Sequence, residues 1–315
     1  MMTAHDRDIL ILLSAYNGEG YLPAQLESLQ AQTVADRIHV TIRDDGSTDS
    51  TVSLIESMAL EPLSVEVVRG KNLGPRDSFS TLICGADPSF STIMLCDQDD
   101  VWMPDKAEIA SRTIAGSTVP ALYCGRSITT DADLTPVGVT DDAPNGPSLR
   151  AALFSNIAPG HTMTFNRALA DLYRRTINPQ AIMHDWWLYL LAAGVGTVVF
   201  DSEPHAYYRL HISNEIGYGT TWASKLWRDA KRLITEDRSA LTRQAEALWV
   251  EIGPDLNPDD RTMLSAFLDQ HSLTSRWGYL RRYPMISQQR RPPWTSTLLF
   301  LLGRYRERKP TGLQP

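Results

Sequence analysis

Short runs of apolar residues alternate with amphipathic segments through the first part of the chain. The run Ile9–Leu13 is continuous rather than alternating, which is typical of a strand buried on both faces of a parallel sheet. Pro23 suits the first turn of a helix, and Leu22, Leu26 and Leu29 follow helical spacing. The further predicted strands are His39–Arg43, Val65–Val68 and Thr92–Cys96, and the further predicted helices are Ser50–Met58 and Phe79–Ala86.

The alternation of strands and helices with short connections predicts the fold class. It indicates an α/β protein with an open, mostly parallel sheet that is flanked by helices. Sheets of this kind bind ligands beyond the carboxyl ends of their strands. Three loops, 14–21, 44–49 and 97–100, each follow a predicted strand. We therefore expect these loops to meet in one crevice.

The later part of the chain has a less regular pattern. Ala121–Cys124 and Gly196–Phe200 are predicted strands, and Asp185–Ala193 is a predicted helix rich in Trp and Leu. From about residue 220 the apolar spacing becomes helical, as in WASKLWRDAKRLI. We therefore predict an α/β domain over residues 1–220 and a helical, basic extension over residues 221–315.

Composition and charge narrow the class of partner. The 315 residues are 43% hydrophobic and 21% charged, an ordinary globular composition. The formal net charge of −7 argues against nucleic acid as the main partner. From His271 onward, nine Lys and Arg residues accompany one acid, Glu307, so this tail carries +8 and the residues before it carry −15. An acidic body with a basic tail suggests that the two parts meet different partners.

Cysteine usage and the amino terminus indicate the compartment. The chain has three cysteines without C-x-x-C spacing, and Cys84 and Cys96 lie in apolar segments. This favours buried thiols in a reducing compartment. The polar start MMTAHDRD is no signal peptide, and no apolar run reaches the ~18 residues of a membrane span. We therefore expect a cytoplasmic protein.

The stretch TIMLCDQDDVWMPDK, residues 92–106, places carboxylates directly after a buried strand. Unpaired carboxylates are too costly to bury, so they must face solvent or a cation. Asp97 and Asp99 are separated by one residue and can point to the same side of an extended turn. That spacing suits Mg²⁺ or Mn²⁺, which one or two carboxylates often hold together with substrate phosphates. The alternative is an acidic surface turn before a helix that begins near Pro104.

Two further segments place acids at the ends of predicted elements. Asp44 and Asp45 end the second predicted strand in IRDDGSTDST, where one of them can contact a nucleotide base or a ribose hydroxyl. The alternative there is a turn with Asx capping. Asp185, in MHDWWL, can act as a general base in a semi-apolar pocket or as a helix N-cap. Its neighbours Trp186 and Trp187 can stack on a sugar face or lie in the core.

A basic pair follows in YYRLHISNEIG. Arg209 and His211 are two residues apart, so they share one face of an extended segment. Such a pair can meet a diphosphate, and His211 can add a nitrogen ligand to a metal ion. The alternative for His211 is a structural histidine.

Seven stretches that occur in family order make the sequence resemble glycosyltransferase family 2, whose members use nucleotide-diphospho-sugars and have the GT-A fold. The similarity is greatest to bacterial rhamnosyltransferase-like members that build cell-surface polysaccharide, and it spans about residues 9–217. One such motif would be weak evidence, but seven in order argue strongly against chance. The stretches are LLSAYNGEGYLPAQLESLQAQT, IRDDGSTDST, NLGPRDSF, MLCDQDDVWMPDK, GHTMTFNR, HDWWL and YRLHISN.

The resemblance implies roles for particular positions. It implies that Asp97 and Asp99 form the D-x-D site for Mn²⁺ or Mg²⁺, with His211 near the metal or the diphosphate. Asp185 stands where the family has its catalytic base. The implied donor-binding residues are Ala15, Tyr16, Asn17, Glu19, Asp44, Asp45, Asp97, Gln98 and Arg209. The implied residues near the acceptor are Gly160, His161, Trp186 and Trp187.

The implied function is that of an inverting glycosyltransferase. It would move a sugar from a nucleotide-diphosphate donor to a hydroxyl of a glycan or lipid-linked acceptor in cell-surface polysaccharide synthesis. The resemblance favours dTDP-rhamnose as donor, although users of UDP-sugars share these motifs. Elementary chemistry agrees, because a cation neutralises charge on a leaving diphosphate and one carboxylate suffices as base for a single displacement.

Two other classes of function remain open at this point. A non-catalytic nucleotide- or glycan-binding module of the same fold would be expected to have a damaged D-x-D motif or no base. A metal-dependent nucleotidyltransferase would be expected to have a basic, Gly-rich phosphate loop after the first strand. The chain has AYNGEGY there, with glycines but no Lys or Arg.

The carboxyl-terminal segment 276–315 mixes Arg with Trp, Tyr and Leu. Its apolar run Leu298–Leu302 is too short to span a bilayer. The composition favours peripheral contact with an anionic membrane surface, on the inner face of the cell membrane. The alternative is a helical pair packed on the acidic body, or a contact between copies of the chain.

Overall fold

The structure, a computed structural model, describes residues 7–210, 239–286 and 293–305. The strands are β1 (Ile9–Ala15), β2 (Ile38–Asp44), β3 (Ser64–Arg69), β4 (Thr92–Asp97), β5 (Val101–Trp102), β6 (Ala121–Thr130), β7 (Pro136–Val139), β8 (Thr164–Asn166) and β9 (Thr197–Arg209). The helices are α1 (Leu22–Gln30), α2 (Thr51–Ser57), α3 (Gly74–Gly85), α4 (Lys106–Ile114), α5 (Leu149–Ala152), α6 (Arg167–Arg175), α7 (His184–Val195), α8 (Ser239–Ile252), α9 (Pro258–Leu268), α10 (Leu273–Arg282) and α11 (Pro293–Leu301).

Within these described ranges the strands form one sheet, in the order β3-β2-β1-β4-β8-β6-β9-β5, with β7 paired to β6. Strands β3, β2, β1 and β4 are parallel, whereas β8 is antiparallel to both β4 and β6. Strands β6 and β9 are again parallel. The predicted α/β fold, an open sheet flanked by helices with a helical carboxyl-terminal region, is confirmed. The sheet is mixed because β8, β5 and β7 run antiparallel to the strands they pair with.

The predicted strands of the first half lie inside observed ones. The bounds differ most for α3, β6 and β9, each of which has one end made of largely polar residues. Helix α3 begins at Gly74, well before the predicted Phe79, because its first turn, GPRDS, has no apolar periodicity. Strands β6 and β9 run on to Thr130 and Arg209. Their second halves pair with each other, so the ladder extends them where the apolar run has ended.

The continuous apolar run of β1 is explained by two hydrophobic clusters on opposite faces of the sheet. Ile9, Ile11 and Leu13 belong to the cluster beneath α1, while Leu10 and Leu12 belong to the cluster formed with α3, α6 and α7. Successive side chains of a strand point to opposite faces, so a strand covered on both sides must be apolar throughout.

The carboxyl-terminal helices contribute to the second of these clusters. Leu248, Phe267, Tyr279 and Phe300, from α8 to α11, are buried with residues of the sheet and of α7. Ring centroids of Phe267 and Phe300 lie 5.7 Å apart. The division predicted near residue 220 falls outside the described residues. The helices that follow it share their core with the sheet.

The structure can be compared with two further predictions, buried cysteines and no membrane-spanning segment. Cys96 and Cys124 are buried and Cys84 is half-buried, and all three are free thiols. Burial raises the pKa of the Cys96 thiol well above its usual value, which leaves it protonated and unreactive. None of the helices in the described ranges is both long and apolar enough to cross a membrane.

Candidate active site

The three loops predicted to share a crevice do meet at the carboxyl edge of β2, β1 and β4. The parallel register pairs Ala15 with Asp44 and Ser14 with Asp97, so the last residues of the three strands are side by side. The backbone N–H of Asp45 donates to the Ala15 carbonyl at 2.7 Å. The parallel register therefore makes this crevice, as expected of an open sheet of this kind.

The loop after β1 is joined to the acid loop, residues 97–100, by one side chain. The Tyr16 N–H donates to Gln98 Oε1 at 2.8 Å, and Gln98 Nε2 donates to the Tyr16 carbonyl at 2.9 Å. Gly18 makes this contact feasible, because a Cβ built there would lie 2.3 Å from Gln98 Oε1. Gln98 thus fixes the two loops relative to each other, and the Tyr16 ring is left 45% exposed at the crevice.

The loop after β1 is also joined to the loop after β2. The Asn17 N–H donates to Ser47 Oγ at 3.0 Å, and Asn17 Oδ1 accepts from the Thr48 N–H at 2.8 Å. Glu19 Oε2 accepts from the Ser50 N–H at 2.9 Å. Asn17 adopts a positive φ of 48°, a conformation that asparagine tolerates better than most residues. These polar side chains hold the loops in shape at the rim of the crevice.

Asp44 and Asp45 have different surroundings. The Asp45 carboxylate forms a buried ion pair with Arg43 and accepts from the N–H groups of Leu73 and Gly74, at 3.0 and 2.9 Å. Asp45 therefore accepts hydrogen bonds from backbone N–H groups at the start of α3, and few of its lone pairs remain for a ligand. Asp44 accepts from the Ser47 N–H at 3.1 Å, which is the turn contact weighed as the alternative role. Of the two, Asp44 retains more free lone pairs.

The acid loop is a cluster of carboxylates at the end of β4. Asp97 and Asp99 are partly exposed, whereas Asp100 is 0% exposed. Burial, together with the negative charges of Asp99 and Asp185, raises the pKa of Asp97 to about 7. Because like charges repel here, a bound cation would stabilise the ionised form of Asp97.

The residues of this cluster fit a divalent cation. Ligand atoms of Asp97, Asp100 and His161 lie within 4.8 Å of one another, and Asp100 Oδ2 is buried without a hydrogen-bond partner. Carboxylate oxygens are what Mg²⁺ and Mn²⁺ prefer. Sequence reasoning missed Asp100 and His161 as candidate ligands, because they are far apart in the chain and only the fold brings them together.

Arg209 holds the acid loop in place. Its backbone N–H donates to Asp100 Oδ1 at 3.2 Å, and its Nε donates to the Asp99 carbonyl at 2.9 Å. Its guanidinium also lies 4.9 Å from the centre of the Tyr21 ring. The contact with a diphosphate expected of Arg209 stays a prediction. His211, the other member of the basic pair, lies outside the described residues.

Asp185 lies in the first turn of α7, close to the acid loop. The Gly160 N–H donates to its Oδ2 at 3.1 Å, and the Trp186 N–H donates to its Oδ1 at 2.6 Å. Burial raises the pKa of Asp185 to about 6, although these hydrogen bonds and one from Asn156 act in the opposite direction. A carboxylate with such a pKa is ionised near neutral pH and remains basic enough to accept a proton.

His161 lies inside the protein next to the acid loop. Its Nε2 is 2.9 Å from Ser127 Oγ, and its Nδ1 is 4.0 Å from Asp100 Oδ2. The ring stacks on Tyr208 with centroids 4.7 Å apart. Burial lowers the pKa of His161 to about 3, so the ring is neutral. His161 is 4% exposed, so it packs beneath the acid loop and does not form part of the crevice surface.

The tandem tryptophans have different positions. Trp187 is 0% exposed and its Nε1 donates to the Thr176 carbonyl at 2.9 Å. The expectation that it stacks on an acceptor sugar is therefore wrong for this conformation, because its ring is part of the core. Trp186 is partly exposed, and its Nε1 donates to the Ala152 carbonyl at 2.7 Å. Only Trp186 of the pair can offer a ring face to a ligand.

Comparison with known proteins agrees with this fold. The Glycosyl transferase family 2 model matches residues 10–124. The chain is 28% identical over 255 residues to the dTDP-rhamnosyl transferase RfbG of Shigella flexneri, a match that covers 75% of this chain and 84% of that protein. The matched family region contains the loops that form the crevice.

Solved structures share the fold at low sequence identity. S. aureus TarS 1-349, in complex with UDP-GlcNAc, superposes with a TM-score of 0.60 and 16% identity, over 95% of this chain and 82% of that one. The mannosyltransferase PcManGT from Pyrobaculum calidifontis, in complex with GDP-Man and Mn²⁺, gives a TM-score of 0.54 and 14% identity, over 94% and 85% of the two chains. The solved structures show that the chain has the GT-A fold, the family match shows a glycosyltransferase family 2 region over residues 10–124, and the chain resembles the rhamnosyltransferase-like members of that family.

Proposed function

We propose that this protein is an inverting, metal-dependent glycosyltransferase that uses a nucleotide-diphospho-sugar. The observation that carries the proposal is that one turn joins the acid loop to Asp185: the Gly160 N–H donates to Asp185 Oδ2 at 3.1 Å, and His161 Nδ1 lies 4.0 Å from Asp100 Oδ2. A cation site and a separate carboxylate base are what a single displacement at a sugar carbon requires.

In the proposed reaction Asp185 acts as the general base. It accepts the proton of an acceptor hydroxyl while the oxygen attacks the sugar carbon and the bond to the diphosphate breaks. Its hydrogen bond from the Gly160 N–H fixes one oxygen and its orientation. The cation, when bound, neutralises negative charge that grows on the leaving diphosphate. The acids of the loop 97–100 are assigned to the cation, and a single carboxylate that acts as base suits a displacement with inversion.

Two sets of ligands for the cation can be distinguished. Asp97 belongs to both, and the second carboxylate is either Asp99, by the D-x-D pattern, or Asp100 with His161, by proximity. We favour Asp99, because the cation must also reach a diphosphate in the crevice, and Asp99 is partly exposed while Asp100 is not. Asp100 already accepts a hydrogen bond from Arg209, which suits an anchor for the loop.

The donor is proposed to bind along the rim formed by the loops after β1 and β2. Tyr16 is 45% exposed, and Asp44, although only 5% exposed, has fewer protein partners than Asp45 and is the one proposed to meet a base or ribose. Similarity to a dTDP-rhamnosyl transferase supports dTDP-rhamnose as the donor. UDP-sugars are the second choice, since a neighbour in fold binds UDP-GlcNAc. The acceptor is proposed to be a hydroxyl of a glycan or a lipid-linked sugar.

Thermal unfolding with nucleoside diphosphates tests the donor site. We expect dTDP, UDP or GDP to raise the melting temperature by about 4 °C when Mn²⁺ is present and the ligand is at ~100 times its dissociation constant, which adds about 2.7 kcal/mol. Selectivity for one diphosphate would identify the donor class. A shift with the diphosphate but none from added Mn²⁺ would contradict metal dependence. If no diphosphate shifts the melting temperature, the acid loop is better interpreted as an acidic surface turn.

We also propose peripheral contact between the carboxyl-terminal helices and an anionic membrane surface on the cytoplasmic side. Helices α10 and α11 bury one face in the core, and their other face carries apolar side chains in solvent. Leu273 and Trp277, four residues apart on α10, are each 60% exposed, and Arg281 follows on the same face. An exposed Trp and Leu beside Arg suits the boundary between lipid headgroups and acyl chains.

Co-sedimentation with vesicles tests this contact. We expect the protein to bind vesicles of anionic phosphatidylglycerol, and Trp277→Glu to weaken the binding about tenfold or more because an apolar anchor becomes a repelled charge. Val250→Glu on α8 is the matched control, since Val250 is 74% exposed but lies outside the basic tail. Equal sedimentation of the three proteins would contradict the contact. These point variants are preferable to deletion of 276–315, which would remove buried residues such as Phe300.

A further inference from the structure

We propose that Lys106 is a positioning residue that links the acid loop to the turn that holds the base. The inference rests on the proposed function, because it requires Asp185 to act as the base. Lys106 would not touch the donor or the acceptor. It would act through the turn Gly160–Thr162, which lies between the acid loop and α7.

The contact that carries the inference is a buried hydrogen bond. Lys106 is the first residue of α4 and is 3% exposed, and its Nζ donates to the His161 carbonyl at 2.6 Å. The amine also lies 3.4 Å from the centre of the Trp102 ring. A lysine amine carries N–H donors whether charged or neutral, so the bond does not depend on its protonation. Lys106 therefore satisfies the His161 carbonyl, a buried acceptor.

The same turn orients Asp185. The Gly160 N–H donates to Asp185 Oδ2 at 3.1 Å, and the Met163 N–H closes the turn on the Gly160 carbonyl at 2.9 Å. The turn packs closely against α7 on this side, since a Cβ at Gly160 would lie 3.2 Å from His184 Nε2. A movement of the His161 carbonyl would therefore change the hydrogen bond that orients the base.

The turn is joined to the acid loop on its other side. Leu95, on the strand that leads into the loop, donates its N–H to the Met163 carbonyl at 3.1 Å. His161 Nδ1 is 4.0 Å from Asp100 Oδ2, and Lys106 itself acts electrostatically on Asp97 and Asp100. Lys106 thus lies where the spacing between the cation-binding acids and the base is set. Reactivity is sensitive to such spacing, since misplacement by about 1 Å can cost roughly 100-fold in rate.

A double-mutant cycle between Lys106→Met and Asp185→Asn tests the inference. The assay is release of nucleoside diphosphate from the nucleotide sugar whose diphosphate stabilises the wild type most, with saturating Mn²⁺ and with water as the acceptor of the sugar. We expect Lys106→Met to lower kcat by roughly 10–100-fold with KM for the donor nearly unchanged. In the Asp185→Asn background the same substitution should have almost no further effect, because the group it positions is gone. Lys106→Arg, which restores an N–H donor, should recover part of the loss.

Arg112→Met is the matched control, since Arg112 lies on the same helix and is exposed; it should leave kcat unchanged. An equal loss from Lys106→Met in both backgrounds would overturn the inference, because Lys106 would then act on the fold in general. A rise in KM without a fall in kcat would also overturn it. If Lys106→Met does not fold, the same double-mutant cycle is made with Lys106→Gln, and Lys106→Arg serves again as the variant that keeps an N–H donor. Full turnover in Asp185→Asn alone would overturn the proposed function, and the single variants distinguish that result from failure of this inference.

Discussion

Replacing Asp185 with asparagine is expected to lower turnover by roughly 10²–10⁴-fold. The amide keeps the size of the carboxylate but cannot accept the proton of the acceptor hydroxyl. Affinity for the nucleoside diphosphate should change little, because Asp185 is held by Gly160 and Trp186 at the base position rather than by the donor loops. Turnover is measured as release of nucleoside diphosphate, and affinity is measured by calorimetry with Mn²⁺ present.

The pH dependence of the same reaction is an internal check. Because burial raises the pKa of Asp185 to about 6, the ionised base is the main form above this pH. Below it, at saturating Mn²⁺, which keeps Asp97 ionised, kcat of the wild type should fall, approaching tenfold per pH unit, and Asp185→Asn should lack this acid limb. Asp255→Asn, at an exposed position far along the chain, should behave as wild type. Loss of diphosphate binding in Asp185→Asn would instead assign Asp185 to the donor or metal ligands.

Replacing Asp97 with asparagine is expected to weaken Mn²⁺-dependent binding of the nucleoside diphosphate by at least 10–100-fold. Substitution of groups that merely support a metal ligand typically costs that much, and Asp97 is proposed to be a ligand itself. Removing one of several crowded charges should at the same time preserve or raise the stability of the unliganded protein, since burial and its neighbours disfavour ionised Asp97. Calorimetric titration with and without Mn²⁺, together with thermal unfolding, measures both effects.

Single substitutions of the two adjacent acids identify the second ligand. If Asp99 is the partner of Asp97, Asp99→Asn should reproduce the loss of metal-dependent binding, while Asp100→Asn should mainly affect stability through its bond with Arg209. The reverse pattern would assign the cation to Asp97, Asp100 and His161. Asp133→Asn, at an exposed position, is the control for charge alone. Unchanged metal dependence in Asp97→Asn would contradict the proposed cation site.

Much of the α/β domain could be predicted from local pattern. Strands β1 and β4 are buried on both faces, and such burial requires continuous apolar runs like Ile9–Leu13. Strand–helix alternation then requires parallel pairing, and parallel pairing places the loops after β1, β2 and β4 at one edge. The crevice and the acids at its rim were therefore predictable before any distance was known.

Local sequence pattern is less informative for strands whose formation depends on pairing with strands that are distant in sequence. The second half of β9 is exposed or half-buried along much of its length, and it remains a strand because it pairs with β6. The reversed strand β8 is only three residues long, too short for its sequence to show a period. Such elements depend on long-range ladders, which a window of sequence does not contain.

The sequence by itself determined that three carboxylates follow a buried strand, that Asp185 lies near the start of a helix, and that the tail is basic. The tertiary structure alone decided which of these groups meet. It paired Asp45 with Arg43, buried Trp187, and brought His161 to Asp100 and Lys106 across more than fifty residues of chain. The physical reason is that burial and hydrogen bonding are properties of neighbours in space. The sequence shows which residues are charged, and the packing of the folded chain determines which groups those charges contact.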